Sequence, residues 1–390
     1  MTYQSIGTLA NRKLKINQMQ LSVIILNYNV RYFLEQCVLS VQKALTNLDA
    51  EIIVVDNNSS DGSCEMMKQL FPQIKLIENP VNVGFPKGNN VGVAEAKGEY
   101  ICILNPDTVV AEDTFKKILN TKYWQLNTGI LGCKLIDGTG NFLPESKRGL
   151  PTPWVAFTKI FGLYKVSNFF GKYYAQYLSE NQSGKVDVLV GAFMVMKRDL
   201  YLQVGGFDEN CFMYSDDIDL SYMIQKVGKE NFYFHETSVI HYKGESTVRD
   251  THYLKRFREA MQFFYKKHFK KSVIFDFMMQ VGSIFFTIFK QKQQKNTVRN
   301  IDKYIVFSKR NIQLNLNQPQ EYLTDFKQFV IYKNINMDVI FDSDSFSFAE
   351  IIDFMEKNKS KNITFKNYIS QSNYIIGSNN ANDRGEVINF

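Results

Sequence analysis

The chain has 390 residues, 45% hydrophobic, 14% aromatic and 22% charged, enough apolar content for a sizeable core, which excludes a disordered chain, a collagen-like repeat and a small disulfide scaffold. Its 46 Lys and Arg exceed 39 Asp and Glu for a formal net charge of +7, an excess that suits a membrane surface, nucleic acid or a phosphorylated substrate without choosing among them. Five cysteines (Cys37, Cys64, Cys102, Cys133, Cys211) show no CxxC spacing; an odd number favours a reducing compartment, and residues 1–20 lack the apolar stretch of a signal peptide, so a cytosolic protein is expected.

Short apolar runs at Leu21–Leu26, Glu51–Val55, Lys75–Ile77 and Tyr100–Leu104 alternate with helical spacing at Tyr32–Leu45 and Asp61–Leu70. That rhythm predicts an α/β fold on a mostly parallel sheet. Such sheets bind ligands at the carboxyl ends of their strands, and the polar clusters Asn27-Tyr28-Asn29, Asp56 to Gly62 and Asn105-Pro106-Asp107 each follow a strand. From Ile130 to Glu145 the pattern reads strand, turn, strand, and an apolar run at Val186–Met196 precedes Gly205-Gly206-Phe207-Asp208, so the sheet becomes mixed.

Beyond Asp250 the composition turns basic and aromatic: residues 255–310 hold fourteen Lys or Arg against three acids. Val273–Phe289 is apolar but shorter than the roughly 20 residues that span a bilayer. With its cationic flanks it suits an interfacial helix, and equally a core helix or an oligomer contact. Phe329–Tyr332, Val339–Phe341, Ser347–Lys357, Ile363–Phe365 and Tyr374–Ile376 then predict a small αβ unit. The expected organisation is an extension at 1–20, a main domain at 21–255, a basic amphipathic helical segment at 256–300 and the αβ unit at 301–390.

No GxxxxGK[ST] loop is present and no GxGxxG follows the first strand, so a phosphate must be held in another way. The four histidines and five cysteines lack zinc spacing, leaving an oxygen-rich site for Mg2+ or Mn2+ as the expected metal chemistry. Asp107, directly after a strand, suits such an ion with help from Asn105; the same Asn-Pro-Asp-Thr also suits a turn and helix N-cap. The acids Asp216, Asp217 and Asp219 repel one another unless they meet cations, helix amides or a reaction, and a carboxylate there is placed to take a proton from a hydroxyl; a helix cap is the plainer alternative. His241 reads as a structural histidine or an ion ligand, with Lys243 near phosphate.

Taken in order, Leu21 to Asn29, Val54 to Gly62, Asn82-Val83-Gly84-Phe85-Pro86-Lys87-Gly88-Asn89-Asn90, Asn105-Pro106-Asp107, Gly205 to Glu209, Asp216-Asp217 and His241-Tyr242-Lys243-Gly244 resemble family 2 glycosyltransferases of the GT-A fold, most of all rhamnosyltransferase-like members. The resemblance covers roughly Leu21 to Ser246. It implies inverting transfer from a nucleotide-diphosphate sugar, dTDP- or UDP-linked, to a lipid-linked or polysaccharide acceptor in bacterial cell-surface glycan synthesis. It further implies Asp56 near the base, Asp107 as the DxD carboxylate on Mg2+ or Mn2+, His241 as a further ligand and Asp217 as general base. Asn27, Asn29, Asn58, Asn82, Gly84, Lys87, Asn90, Asn105 and Asp216 complete the expected nucleotide-sugar site. Three positions depart from the pattern: Asn105 replaces the first DxD acid, Asp216 stands where Glu is commoner, and Met223 sits where Arg often follows.

Ser146-Lys147-Arg148-Gly149 reads either as a contact to sugar or acceptor or as a basic surface loop. The expected location is the cytoplasm, with peripheral contact to the inner face of the plasma membrane and no nucleic-acid partner. Two other readings remain open: a nucleotidyltransferase on a related fold, and a non-catalytic nucleotide-sugar or glycan-binding protein.

Overall fold

In the computed structural model of the protein, which describes residues 19–152, 154–155, 158, 162–243, 251–269, 300–332, 334–379 and 385–390, the first apolar run forms β1 (Leu21–Asn27), buried along its whole length. A strand apolar on both faces needs helices on both sides. These follow: α1 (Arg31–Ala44), β2 (Ala50–Asp56), α2 (Ser63–Leu70), β3 (Lys75–Glu78), α3 (Phe85–Ala94) and β4 (Tyr100–Leu104). In α1 the buried Phe33, Leu34, Cys37, Val38 and Val41 recur at helical spacing, so one stripe faces the sheet.

β5 (Thr108–Val110), α4 (Thr114–Leu119) and β6 (Thr128–Ile136) come next, then β7 (Gly184–Val186), β8 (Phe193–Lys197), α5 (Arg198–Gln203), α6 (Asp216–Lys226), β9 (Glu230–His241) and α7 (Thr251–His268). Among the described residues these strands make a nine-stranded sheet in the order β3-β2-β1-β4-β8-β6-β9-β5, with β7 beside β9. β1 runs parallel to β2 and β4, whereas β8 is antiparallel to β4 and β6. The mixed, mostly parallel α/β sheet expected from the sequence is present.

Two local expectations give way. The return strand after the 137–140 turn shrinks to a single bridge between Ile136 and Phe142, because Pro144 opens a short helical turn and cannot donate to a ladder. The apolar run at 186–196 splits into β7 and β8, since residues 187–192 leave the sheet and Val188 pairs with Arg148. That excursion carries part of the site described below.

The αβ unit is larger than its sequence pattern suggests. β10 (Lys303–Phe307), β11 (Gln320–Leu323), β12 (Met337–Asp342), α8 (Phe348–Asn358), β13 (Ile363–Ile369), β14 (Tyr374–Ser378) and β15 (Glu386–Asn389) form a second sheet in the order β11-β10-β12-β13-β14-β15. Phe329–Tyr332 lies outside any strand, while β10, β11 and β15 were not foreseen. The unit is fused to the first domain: Phe341, Phe348 and Ile352 share a core with Val30, Phe33, Val109 and Ile240. Glu112 caps α8 by accepting from the backbone N–H groups of Phe348 and Ala349, both at 2.9 Å, a charge-assisted N-terminal contact.

The expected boundary at 255/256 falls inside α7. That helix buries Met261, Phe264 and Tyr265 against Val188 and Ile218, so it covers α6 as part of the main domain. The interfacial helix expected at Val273–Phe289 lies outside the described residues. Among the described residues, no helix is long and apolar enough to cross a membrane.

Candidate functional site

The carboxyl ends of β1 and β2 finish side by side, with Asn27 in register with Asp56. Asn27 Nδ2 donates to Asp56 Oδ1 at 2.7 Å and to Ser59 Oγ at 3.1 Å, and Asp56 Oδ2 accepts from the Ser59 N–H at 2.7 Å. Asn29 and Asn58 occupy left-handed backbone positions, φ 54° and 63°, which asparagine tolerates better than most residues. Asn29 Oδ1 accepts from Ser60 N at 2.8 Å, and Asn58 is exposed. The result is a polar shelf of preset loops above the strand ends, the edge at which open α/β sheets bind ligands.

The Asn82–Asn90 stretch departs from the simple picture of a glycine-rich lining. It opens α3, with Pro86 in the first turn, a position where its missing N–H is no loss. Gly84 has φ 84°, and an added Cβ would lie 2.8 Å from the Phe212 ring; at Gly88 it would lie 2.4 Å from Leu26. Both glycines therefore serve close packing within the protein. Asn82 Oδ1 accepts from Gly84 N at 3.0 Å and Lys87 is exposed. Asn90 Nδ2 donates to Phe207 O at 2.9 Å and Glu209 Oε1 at 3.0 Å, pinning the 205–209 loop.

Asp107, Asn105 and His241 come together at the end of β4, because β5 pairs antiparallel with β9 and sets Thr108 opposite His241. His241 Nε2 lies 3.5 Å from Asp107 Oδ1 and 3.4 Å from Asn105 Nδ2, with all three residues at least partly buried. Among the described residues, Asn105 Oδ1 and His241 Nδ1 are buried without hydrogen-bond partners, a costly arrangement unless something else satisfies them. One carboxylate, one imidazole and an orphaned amide oxygen fit a hard divalent cation. Among the described residues no cluster of three His, Cys, Asp or Glu forms a closed metal cage, so such an ion would take further ligands from the diphosphate and water. Lys243, expected near phosphate, forms an ion pair with half-buried Glu145, whose carboxylate is penalised by burial yet held below its usual pKa by Lys243.

The second half of the site sits in the first turn of α6, where all three acids lie inside the helix instead of ahead of it. Asp217 Oδ2 accepts from Arg148 Nη2 in a buried ion pair and from the Gly191 N–H at 3.2 Å. Next to Gly191, Ala192 O accepts from Asn105 N at 3.0 Å. The 191–192 turn thus ties the Asp107 end of β4 to Asp217, two acids 110 positions apart in the chain (217 − 107), at one edge of the sheet. Asp216 is pushed up to about 7 by burial and then by the charge of Asp217. Asp219 is buried and held by Lys267 Nζ at 2.8 Å and His268 Nε2 at 2.5 Å.

Residues 146–149 are no surface loop. Lys147 and Arg148 are buried, and Lys147 Nζ donates to the carbonyls of Tyr174, Ala175 and Leu178. Burial works against the Arg148 charge, but Asp217 outweighs it and raises its pKa. The backbone N–H of Gly191 had no signal in the sequence. Lys267 had none either; it reaches the cavity of about 310 Å³ that Met223 lines with Asn90, Asp208 and Glu209, supplying a cation beside the position where an arginine is missing.

Comparison with known proteins finds the following similarities. Residues 22–205 match the family model described as Glycosyl transferase family 2. An N-acetylglucosaminyl-diphospho-decaprenol L-rhamnosyltransferase of Mycobacterium tuberculosis is 27% identical over 59% of this chain and 78% of its own. The rhamnosyltransferase WbbL of Escherichia coli is 28% identical over 52% of this chain and 78% of its own. Among solved structures, a mannosyltransferase from Pyrobaculum calidifontis aligns with a TM-score of 0.45 and 16% identity, covering 74% of this chain and 82% of that one. Through residues 22–205, a little under half of the chain, the protein is thus similar to glycosyltransferase family 2.

Proposed function

We propose that the chain transfers a sugar from a nucleotide-diphosphate donor, dTDP- or UDP-linked, to a hydroxyl of a lipid-linked or polysaccharide acceptor, with inversion at the anomeric carbon. The observation that supports this reading is that the Asn105 backbone, two residues before Asp107, and the Asp217 carboxylate are bonded to the adjacent residues Ala192 and Gly191. The relative named N-acetylglucosaminyl-diphospho-decaprenol L-rhamnosyltransferase supports a lipid-linked acceptor.

In this reading the shelf of Asn27, Asn29, Asp56 and Asn58 receives the nucleoside, and Asp107 with His241 and Asn105 holds Mg2+ or Mn2+. When bound, that ion neutralises charge developing on the departing diphosphate. Asp217 accepts the proton of the acceptor hydroxyl as the oxygen forms its bond to the anomeric carbon. The bond from that carbon to the phosphate oxygen breaks, and its electron pair leaves with the nucleoside diphosphate. One displacement from the opposite face inverts the configuration.

Purified protein incubated with a panel of nucleotide sugars and a polyprenyl-diphosphate-sugar acceptor is expected to release nucleoside diphosphate. Release of pyrophosphate would identify a nucleotidyltransferase instead, and ligand-induced thermal stabilisation with no turnover on any pair would point to a binding protein.

A lipid-linked acceptor requires access to a membrane surface, and the outer side of α7 supports it. Arg256, Arg258 and Lys266 are exposed there while Met261, Phe264 and Tyr265 face the core. We therefore place the protein at the cytoplasmic membrane face through attraction to anionic headgroups. In a flotation assay it is expected to rise with anionic vesicles at low salt and to be released at high salt; equal absence from the vesicles in both conditions would refute this.

A further inference from the structure

We propose that Arg148 is a positioning residue for the Asp217 carboxylate, holding Oδ2 so that Oδ1 faces the incoming hydroxyl. This rests on the reading of Asp217 as the base. The claim begins with the backbone. Arg148 N donates to Val188 O and Val188 N donates to Arg148 O, both at 2.9 Å, and Leu150 N donates to Asp187 Oδ2 at 2.9 Å. Residues 147–150 are therefore stitched to the start of the excursion that ends at Gly191. Lys147, tied to three carbonyls, anchors the preceding position.

From that fixed base Arg148 Nη2 reaches Asp217 Oδ2, and Gly191 N–H reaches the same oxygen. Two donors on one carboxylate oxygen fix the plane of the group and leave the other oxygen to accept a proton. A third contact, Arg148 Nη2 to Leu189 O at 3.4 Å, keeps the guanidinium in the same strip of chain. A flexible carboxylate at this place would have to be ordered anew in every turnover.

The second consequence is electrostatic. Asp216 neighbours Asp217 on the same turn, Arg148 lies across from the pair, and Tyr173 lies against Arg148. Asp219, on the same helix, is already engaged by Lys267 and His268 from α7. With two adjacent buried acids and one guanidinium, only one negative charge is compensated. Burial and the charge of Asp217 push Asp216 up to about 7, so Asp216 titrates near neutral pH.

The test compares Arg148→Gln, Arg148→Lys and Asp217→Asn, reading kcat, donor KM and the melting temperature. For R148Q, donor KM is expected to stay while kcat falls about 10- to 100-fold. R148K retains the charge without the planar fork, so its kcat is expected to fall about tenfold at an unchanged donor KM. R148Q with a wild-type kcat, or with a donor KM that rises as far as kcat falls, overturns the inference. Should R148Q fail to fold, R148K decides: a wild-type kcat there overturns it equally. An active D217N overturns the base assignment itself, whereas an inactive D217N beside a wild-type-like R148Q removes only the role given to Arg148.

Discussion

Asp217→Asn is expected to lower the rate of sugar transfer by about 10²- to 10⁴-fold, the usual contribution of a positioned base. Asparagine has the same shape, and its carbonyl oxygen still accepts from Arg148 Nη2 and the Gly191 N–H. What disappears is the capacity to take a proton. Nucleotide-sugar binding, followed as a ligand-induced rise in melting temperature, should persist, because the donor shelf around Asn27 and Asp56 is untouched. The variant itself should melt lower than wild type. Removing one partner of a buried ion pair costs about 3–5 kcal/mol, and the retained hydrogen bonds offset part of that. Asp216→Asn should lose less activity, since near neutral pH burial and the Asp217 charge leave Asp216 only partly ionised and an amide mimics a protonated carboxyl. Transfer by D217N within tenfold of wild type would place the base elsewhere.

The second large effect is expected at Asp107. In wild type, stabilisation by UDP or dTDP should require Mn2+ or Mg2+ and vanish on chelation, because Asp107, His241 and the Asn105 amide oxygen offer too few ligands without the diphosphate. Asp107→Asn should abolish the cation-dependent part of that stabilisation. It should also slow transfer by about 10²-fold or more, the equivalent of a few kcal/mol of lost charge neutralisation in the transition state. His241→Gln should be milder, since an amide oxygen remains a competent hard ligand. Undiminished cation dependence in D107N would move the metal site away from the end of β4.

How much of this was legible depended on the distance over which each feature is decided. The runs that became β1, β2 and β4 declared themselves because a strand buried on both faces must be almost wholly apolar. The polar clusters at their ends followed from the same rule. By contrast, the apolar run at 186–196 looked like one strand, and only the pairing of Val188 with Arg148 divides it. Phe329–Tyr332 has strand-like composition but no strand, while β10 was concealed within a basic stretch and β15 within the last few residues. The pattern of Asn82–Asn90 suggested a ligand loop, yet its glycines face Leu26 and Phe212.

The sequence by itself determined the α/β class, the strand-end placement of Asp56 and Asp107, the acidic turn at 216–219 and the resemblance to family 2 glycosyltransferases. Each is written in contiguous residues whose apolar period or motif order is local. Only the tertiary structure decided that Asp217 is gripped by Arg148, that Asn90 braces a loop, that α7 belongs to the main domain and that the C-terminal sheet shares its core. Those facts are contacts between residues 48 to 236 positions apart, and side-chain partners at such separations are chosen by how the sheet and its excursions pack, which no local pattern records.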